Sequence, residues 1–354
     1  MRLYQIDLFR FIAALSVLLF HYTFRGFAAD GLSILEFPEL GKIFRYGYLG
    51  VDIFFIISGF VIMLSVKNTN LSKFIQSRIT RLYPAYWFCL TITFLVILAW
   101  GSPVFKATTG QYFINLTMLQ RLVGIGHIDW VYWTLLVEIK FYFLIALYLI
   151  ARSFKNFSIN YLIYGWLLLS CLPHLINFQS SVPLKAIYFV LALDYSPCFI
   201  AGMLFYKIFS DGNKPVYNAA LMACLALSIA NGMVYRQELE AYYSTGFSAT
   251  VITAVIVSFY LFMYLISIKK LNAINSPALL KVGILTYPLY LIHQNIGFIL
   301  FNNLGHTINK YVLLTATIVF MVAFSYFITR FVEAPLAHFL KNKLSVLFTR
   351  AEKS

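Results

Sequence analysis

The sequence predicts an all-α protein, a polytopic transmembrane helical bundle of about ten spans with both termini cytoplasmic. Three observations carry this expectation. Hydrophobic residues make up 61% of the 354 positions and charged residues only 11%, less than half the charged share of an ordinary soluble domain. At about 20 apolar residues per membrane-crossing helix, that hydrophobic content supplies about ten spans. The apolar runs are continuous, about 17–22 residues long, which suits helices and not the ten-residue alternation of an outer-membrane barrel. Finally, Lys and Arg divide unevenly between the two sets of connecting segments, 17 on the side of the termini against 8 on the other, as the positive-inside rule requires.

The spans follow in order, each closed by a polar segment. The first (7–24) leads to an outer segment with Arg25, Lys42 and Arg45, and the second (47–66) to an inner one with Lys67, Lys73, Arg78 and Arg81. The third (83–100) precedes outer Lys106 and Arg121, and the fourth (130–151) precedes inner Arg152 and Lys155. Spans five (161–177) and six (186–206) are separated by outer Lys185 and followed by inner Lys207 and Lys214. Spans seven (216–234) and eight (247–267) are separated by outer Arg236 and followed by inner Lys269, Lys270 and Lys281. Spans nine (284–303) and ten (311–331) flank outer Lys310. Residues 1–335 read as one transmembrane domain. Residues 336–354 read as a short basic tail whose apolar side chains (Leu336, Phe339, Leu340, Leu344, Leu347, Phe348) suit an interfacial amphipathic helix.

Several classes are excluded. The net charge is +14, but no basic cluster exceeds a few residues, so nucleic acid is not an expected partner. The four cysteines lie in apolar runs without a C-x-x-C pair and read as small core hydrophobes; no metal site is expected. Phosphate-loop, zinc-protease and dinucleotide motifs are missing. Asp7 and Arg10 interrupt the first apolar run, against a cleaved signal peptide. No duplicated or inverted half is visible, which weakens a transporter reading.

Ionisable groups at membrane depth are costly and therefore candidates for function. The first span carries Asp7, Arg10 and His21. At 100° and 1.5 Å per residue, His21 lies about 20° around the helix from Arg10 and roughly 16 Å along it, with Asp7 about 40° off the other way, so all three line one stripe. Histidine titrates near neutrality and suits a general base; the alternative is a core histidine that only satisfies a neighbour. Arg78 and Arg81, three apart on a helix start, can clamp phosphates or anchor the helix at lipid headgroups. Asp52 needs a cation or hydrogen-bond donor, with Arg10 or Arg81 as candidates. Ser58 and Gly59 can serve close helix packing. Glu138 shares a helix face with Thr134 and Tyr142, and fits either a structural ion pair or the orienting of a catalytic histidine. His293, beside Tyr290 and Gln294, can hydrogen-bond an acceptor hydroxyl or a helix neighbour.

Six sequence blocks stand in one order along nearly the whole chain: DLFRFIAALSVLLFH at 7–21, GVDIFFIISGF at 50–60, RITRLYPAYW at 78–87, WTLLVEIKFY at 133–142, YPLYLIH at 287–293 and EAP at 333–335. Together they resemble the acyltransferase-3 family of integral membrane O-acyltransferases, bacterial inner-membrane enzymes that modify O-antigen, exopolysaccharide and related acceptors. The resemblance implies that His21 is catalytic and that Arg78 and Arg81 engage an acyl-CoA donor, with Arg10 and Tyr83 beside them. It implies Glu138 in the site, with Asp7, Asp52, Ser58, Tyr142 and His293 in support. The donor is expected to be acetyl-CoA, a substrate and not a resident cofactor. The expected acceptor is a hydroxyl of a carbohydrate or lipid-linked glycan, with membrane lipid as the surroundings. At the tail the family commonly has a basic residue after E-x-P, whereas here Leu336 and Ala337 follow Pro335. Direct transfer and an acyl-enzyme stay open, as does the oligomeric state. The rival reading is a transporter or flippase of a small anion or glycolipid.

Overall fold

A computed structural model describes residues 3–67, 69–155 and 157–351. Every regular element among them is helical, and eight helical stretches are long and apolar enough to cross a membrane: Tyr4–Ala28, Pro38–Val66, Leu71–Trp100, Trp130–Phe154, Pro215–Tyr243, Ala249–Ser267, Pro277–Leu304 and Lys310–Val346. The chain is a multi-pass membrane protein. Of the remaining two expected spans, 161–177 forms the 13-residue helix Ile159–Cys171, and 186–206 is broken between the helices Val182–Val190 and Ser196–Asp211, of 9 and 16 residues. Proline sets these limits. Pro173 follows the end of Ile159–Cys171, and Pro197 sits in the opening turn of Ser196–Asp211, where it is tolerated but disfavours helical continuation upstream.

The principal helices are α1 (Tyr4–Phe20), α2 (Gly50–Val66), α3 (Leu71–Trp100), α4 (Trp133–Phe154), α5 (Ile159–Cys171), α6 (Ser196–Asp211), α7 (Pro215–Tyr243), α8 (Ala249–Ser267), α9 (Thr286–Leu304), α10 (Lys310–Ile328) and α11 (Ala334–Ala351). They belong to two compact units. One comprises residues 1–6, 49–74 and 137–276; the other comprises 7–48, 75–136 and 277–354.

The first unit is built around α6, which is buried without a break from Ser196 to Tyr206. It meets α2 backbone to backbone. A Cβ on Gly59 would lie 2.1 Å from the Phe199 carbonyl oxygen, and one on Gly202 would lie 2.0 Å from that of Ile56. Lipid is as apolar as a leucine side chain, so such close approach, not hydrophobic exclusion, drives helices together in a bilayer. Around this crossing Phe199 stacks on Phe141 of α4 at 4.4 Å and packs on Phe55 of α2 at 4.8 Å. Arg152, in the last turn of α4, donates to the carbonyls of Val66 and Thr69 and so satisfies the C-terminal end of α2.

In the second unit α1 runs on through a π-helical turn, His21–Arg25, and α9 is buried from Thr286 to Ile299. Helix α10 passes through another π turn, Thr329–Glu333, directly into α11. The tail is therefore a continuation of a span and is also tied to the start of α3, where Gln76 Nε2 donates to the Lys341 carbonyl at 2.8 Å.

The segment after α3, expected to be an outer loop, instead folds back along that helix. Tyr112 stacks on Phe94 at 4.7 Å, and Trp87, Tyr86 and Tyr83 donate to the carbonyls of Leu116, Asn115 and Thr117. From Trp100 to Tyr83 the helix rises about 25 Å, so the hairpin reaches far into the depth of the span. Irregular backbone is tolerated there only when protein satisfies it. Asn115, fully buried, does so by donating to the carbonyls of Gln111 and Gly126 and accepting from the Ile128 N–H.

Two expectations follow from this packing. Gly59→Ala and Gly202→Ala should each lower the thermal stability of the detergent-purified protein by about 1–3 kcal/mol, the usual cost of overpacking; unaltered melting would show that α2 and α6 separate freely. The second concerns His127, on the returning arm of the hairpin. Burial, and then the Arg121 charge, push it down to about 4, and its Nδ1 accepts from Gln120 Nε2 at 2.6 Å, a bond that protonation removes. The fold thus favours neutral His127, and its contribution is complete above about pH 6.5 and lost as pH falls toward 4. Asp129, pushed up to about 7 by burial against hydrogen bonds that favour its carboxylate, acts in the opposite sense. The difference between wild type and His127→Gln isolates the histidine: the variant should lose less stability between pH 6.5 and 4, and parallel melting curves would refute the assignment.

Candidate active site

The second unit brings two histidines together. His21 opens the π turn that ends α1, and it is buried, at 5% exposure. His293, in the middle of α9, is fully buried. Their ring centroids are 5.1 Å apart. Phe298 closes one side of His21 at 6.3 Å, and Phe20 packs on it at 5.2 Å. A π turn widens the helix by one residue, and such turns recur at functional sites; here it presents His21, Tyr22 and Arg25 from one short stretch.

Two glycines permit the approach. The Tyr22 ring lies where a side chain on Gly297 would be, with its hydroxyl 2.3 Å from the position of a Cβ, and Phe298 likewise fills the space beside Gly26 at 2.6 Å. Seated over Gly297, Tyr22 donates its hydroxyl to the His293 carbonyl oxygen at 2.7 Å. The π turn and α9 are thus locked in register at the residue that carries the second imidazole.

The tautomer of His293 follows from its neighbours. Nδ1 lies 2.8 Å from the Tyr290 carbonyl oxygen and 3.2 Å from that of Leu289. Carbonyls only accept, so Nδ1 carries the proton. Nε2 is then a lone-pair acceptor, and it is buried without a hydrogen-bond partner. Nδ1 of His21 is also buried and unpartnered, as is Oε1 of Gln294. Buried polar atoms normally find partners, so three open atoms close together mark this cluster as a candidate site.

Asp129, at the end of the hairpin, holds α9 from the other side. It is fully buried; Oδ2 accepts from the Asn295 N–H at 3.0 Å and Oδ1 from the Val131 N–H at 3.2 Å, while Asn295 Nδ2 donates to the Ile128 carbonyl at 2.8 Å. The Arg25 charge bears on both Asp129 and His21. Tyr22, Arg25, Asp129 and Asn295 were not singled out by the sequence. Tyr22 and Arg25 flank His21 in an apolar run, and Asp129 lies in a segment whose return into the span no periodicity announces.

The other expected site residues of this unit fall on α1 and α3. Asp7, buried, packs against Gly283, where a Cβ would lie 2.6 Å from its Oδ1. Arg81 Nη1 pairs with Glu333 Oε1 at 2.6 Å and its guanidinium lies over the Tyr287 ring at 5.4 Å; Arg10 also bears electrostatically on Glu333. Arg78 donates to Ser77 Oγ at 2.8 Å. Tyr83 uses its hydroxyl to bind the hairpin, at the Thr117 carbonyl. Arg81 is therefore already engaged by a carboxylate, an arrangement the sequence left unassigned.

Glu138, Ser58 and Tyr142 come together in the first unit. Ser58 Oγ donates to Glu138 Oε1 at 3.1 Å, and the Tyr142 hydroxyl donates to the same oxygen. The i, i+4 spacing of Glu138 and Tyr142 is thus realised as a bond. Asp52 lies six residues before Ser58 on α2, within electrostatic range of Tyr195 and Cys198. Lys140 turns to another face, with Nζ 3.2 Å above the Phe189 ring.

Comparison with known proteins bears on this arrangement. A family model described as an acyltransferase domain matches residues 3–330. A protein of the Acidianus two-tailed virus named "Putative acetyltransferase ORF330" is 30% identical over 128 residues, a stretch covering 35% of this chain and 38% of the viral protein. No solved structure matches the chain. With the family match extending over the segments that carry the histidine pair, Arg81 and the Glu138 cluster, the chain belongs to the acyltransferase-3 family of membrane proteins.

Proposed function

We propose that the protein is an O-acyltransferase that takes an acetyl group from acetyl-CoA at the cytoplasmic face of a bacterial inner membrane. The group passes to a hydroxyl of a cell-surface carbohydrate or glycolipid precursor, with His21 as the general base. The observation that carries this reading is the buried imidazole of His21, with an unpartnered ring nitrogen, held beside His293 by the π turn and the Tyr22–Gly297 contact. An imidazole with an open ring nitrogen can take the proton of an acceptor hydroxyl that comes within hydrogen-bond reach.

In the proposed reaction the acceptor oxygen bonds to the acyl carbon, the carbon–sulfur bond breaks and its electron pair leaves on sulfur, while His21 takes the hydroxyl proton. Arg78 and Arg81 receive the phosphates of the donor, for which guanidinium groups are well shaped; Arg81 does so as the partner of Glu333, so the donor competes with or joins an existing ion pair. General base catalysis contributes about 10²–10⁴-fold, and stabilisation of the oxyanion supplies the rest. The viral relative's name supports acetyl as the group transferred.

His21→Ala should reduce transfer of label from radioactive acetyl-CoA into membrane esters by about 10²–10⁴-fold while the protein still inserts and melts normally; near-normal labelling would remove His21 from the mechanism. Arg78→Ala and Arg81→Ala should each raise the KM for acetyl-CoA about tenfold, the equivalent of about 1.4 kcal/mol. Arg81→Ala alone should also lower the melting temperature, because Glu333, 11% exposed, loses its ion-pair partner. Unchanged donor titrations in both variants would refute the phosphate role.

A further inference from the structure

We infer that His293 is a second catalytic residue, the carrier of the proton between His21 and the departing thiolate. This rests on the reading of His21 as general base. It starts from the fate of the imidazolium that the base step creates. The π turn that holds His21 also carries the cation Arg25 and no carboxylate. The carboxylate expected to compensate it, Glu138, is engaged by Ser58 and Tyr142 in the first unit. The imidazole that lies beside His21 is that of His293, at 5.1 Å between ring centroids.

His293 is built to receive that proton. Its Nδ1–H is committed to the carbonyls of Tyr290 and Leu289, so the lone pair on Nε2 is the one available, and Nε2 is buried and unpartnered. A proton arriving at Nε2 gives a cation whose opposite N–H already faces two carbonyl oxygens, and a hydrogen bond from a charged donor is about twice as strong as a neutral one. The α9 backbone that presents these carbonyls is fixed on two sides, by Tyr22 at the His293 carbonyl and by Asp129 at the Asn295 N–H.

The balance is closed within the proposed reaction. The hydroxyl proton goes to His21 as the oxygen–acyl bond forms, passes to His293 Nε2, and ends on the sulfur that leaves with the electron pair of the broken carbon–sulfur bond. Both imidazoles return to the neutral state, and no other reactant is needed.

The test measures label transfer from radioactive acetyl-CoA into base-labile esters of membranes holding full-length protein, for His293→Gln, His293→Ala and His21→Ala. Glutamine keeps an acceptor oxygen but cannot carry a proton. The relay requires His293→Gln to lose at least about 100-fold in kcat, within the range of a proton-transfer residue, with the KM for acetyl-CoA unchanged. It also requires added imidazole to restore part of the activity of His293→Ala, which a purely structural loss would not permit. A His293→Gln enzyme within threefold of wild type, or an inactive His293→Ala that imidazole leaves inactive, overturns the relay. The two readings fail separately: an active His21→Ala removes the base, whereas an inactive His21→Ala with an active His293→Gln removes only the relay.

Discussion

A polar group at membrane depth has no water to bond with, and each one left unsatisfied costs several kcal/mol. This constraint orders much of the molecule. It places Arg152 on the open carbonyls that end α2, turns the amide of Asn115 onto the hairpin backbone, and sets the hydroxyls of Tyr83 and Tyr86 and the Trp87 N–H on three successive carbonyls. In each case a side chain stands in for solvent. Against that background the nitrogens of His21 and His293 are among the buried polar atoms that no such side chain or backbone group satisfies.

Close approach of backbones is the second requirement, and glycine supplies it in both units. Gly59 and Gly202 join α2 to α6, while Gly297 and Gly26 let Tyr22 and Phe298 pack at the π turn. The first pair gives stability. The second also sets geometry, because the ring over Gly297 ends in a hydroxyl that grips the His293 carbonyl. Helix contact and imidazole placement are one interaction, so a packing change at Gly297 would shift the His293 imidazole.

The groups expected to serve one reaction are distributed between the two units. The second holds the histidine pair and the arginines of α3, with Arg81 joined to Glu333; the first holds Glu138 with Ser58 and Tyr142. Within the second unit the continuous run from α10 through a π turn into α11 brings Glu333 to Arg81. A π turn thus appears twice in this unit, once carrying His21 and once carrying Glu333.

Composition and run length were enough to determine an all-helical, multi-pass protein, since about 20 apolar residues can do little else than cross a bilayer as a helix. Helical spacing alone placed Glu138 and Tyr142 on one face, and an imidazole in an apolar run marked His21 as costly and so worth explaining. The six ordered blocks pointed to the family. The sequence could not show that 161–177 stops short and 186–206 is broken, because hydropathy sums over proline. Nor could it show that the polar stretch after α3 returns into the span, because its partners are backbone carbonyls, which have no residue signature. Tertiary structure alone decided the pairing of His21 with His293, of Arg81 with Glu333 and of Asp129 with the α9 backbone. Each joins residues more than 150 positions apart, and contacts at that separation are set by the packing of whole helices and not by any local pattern.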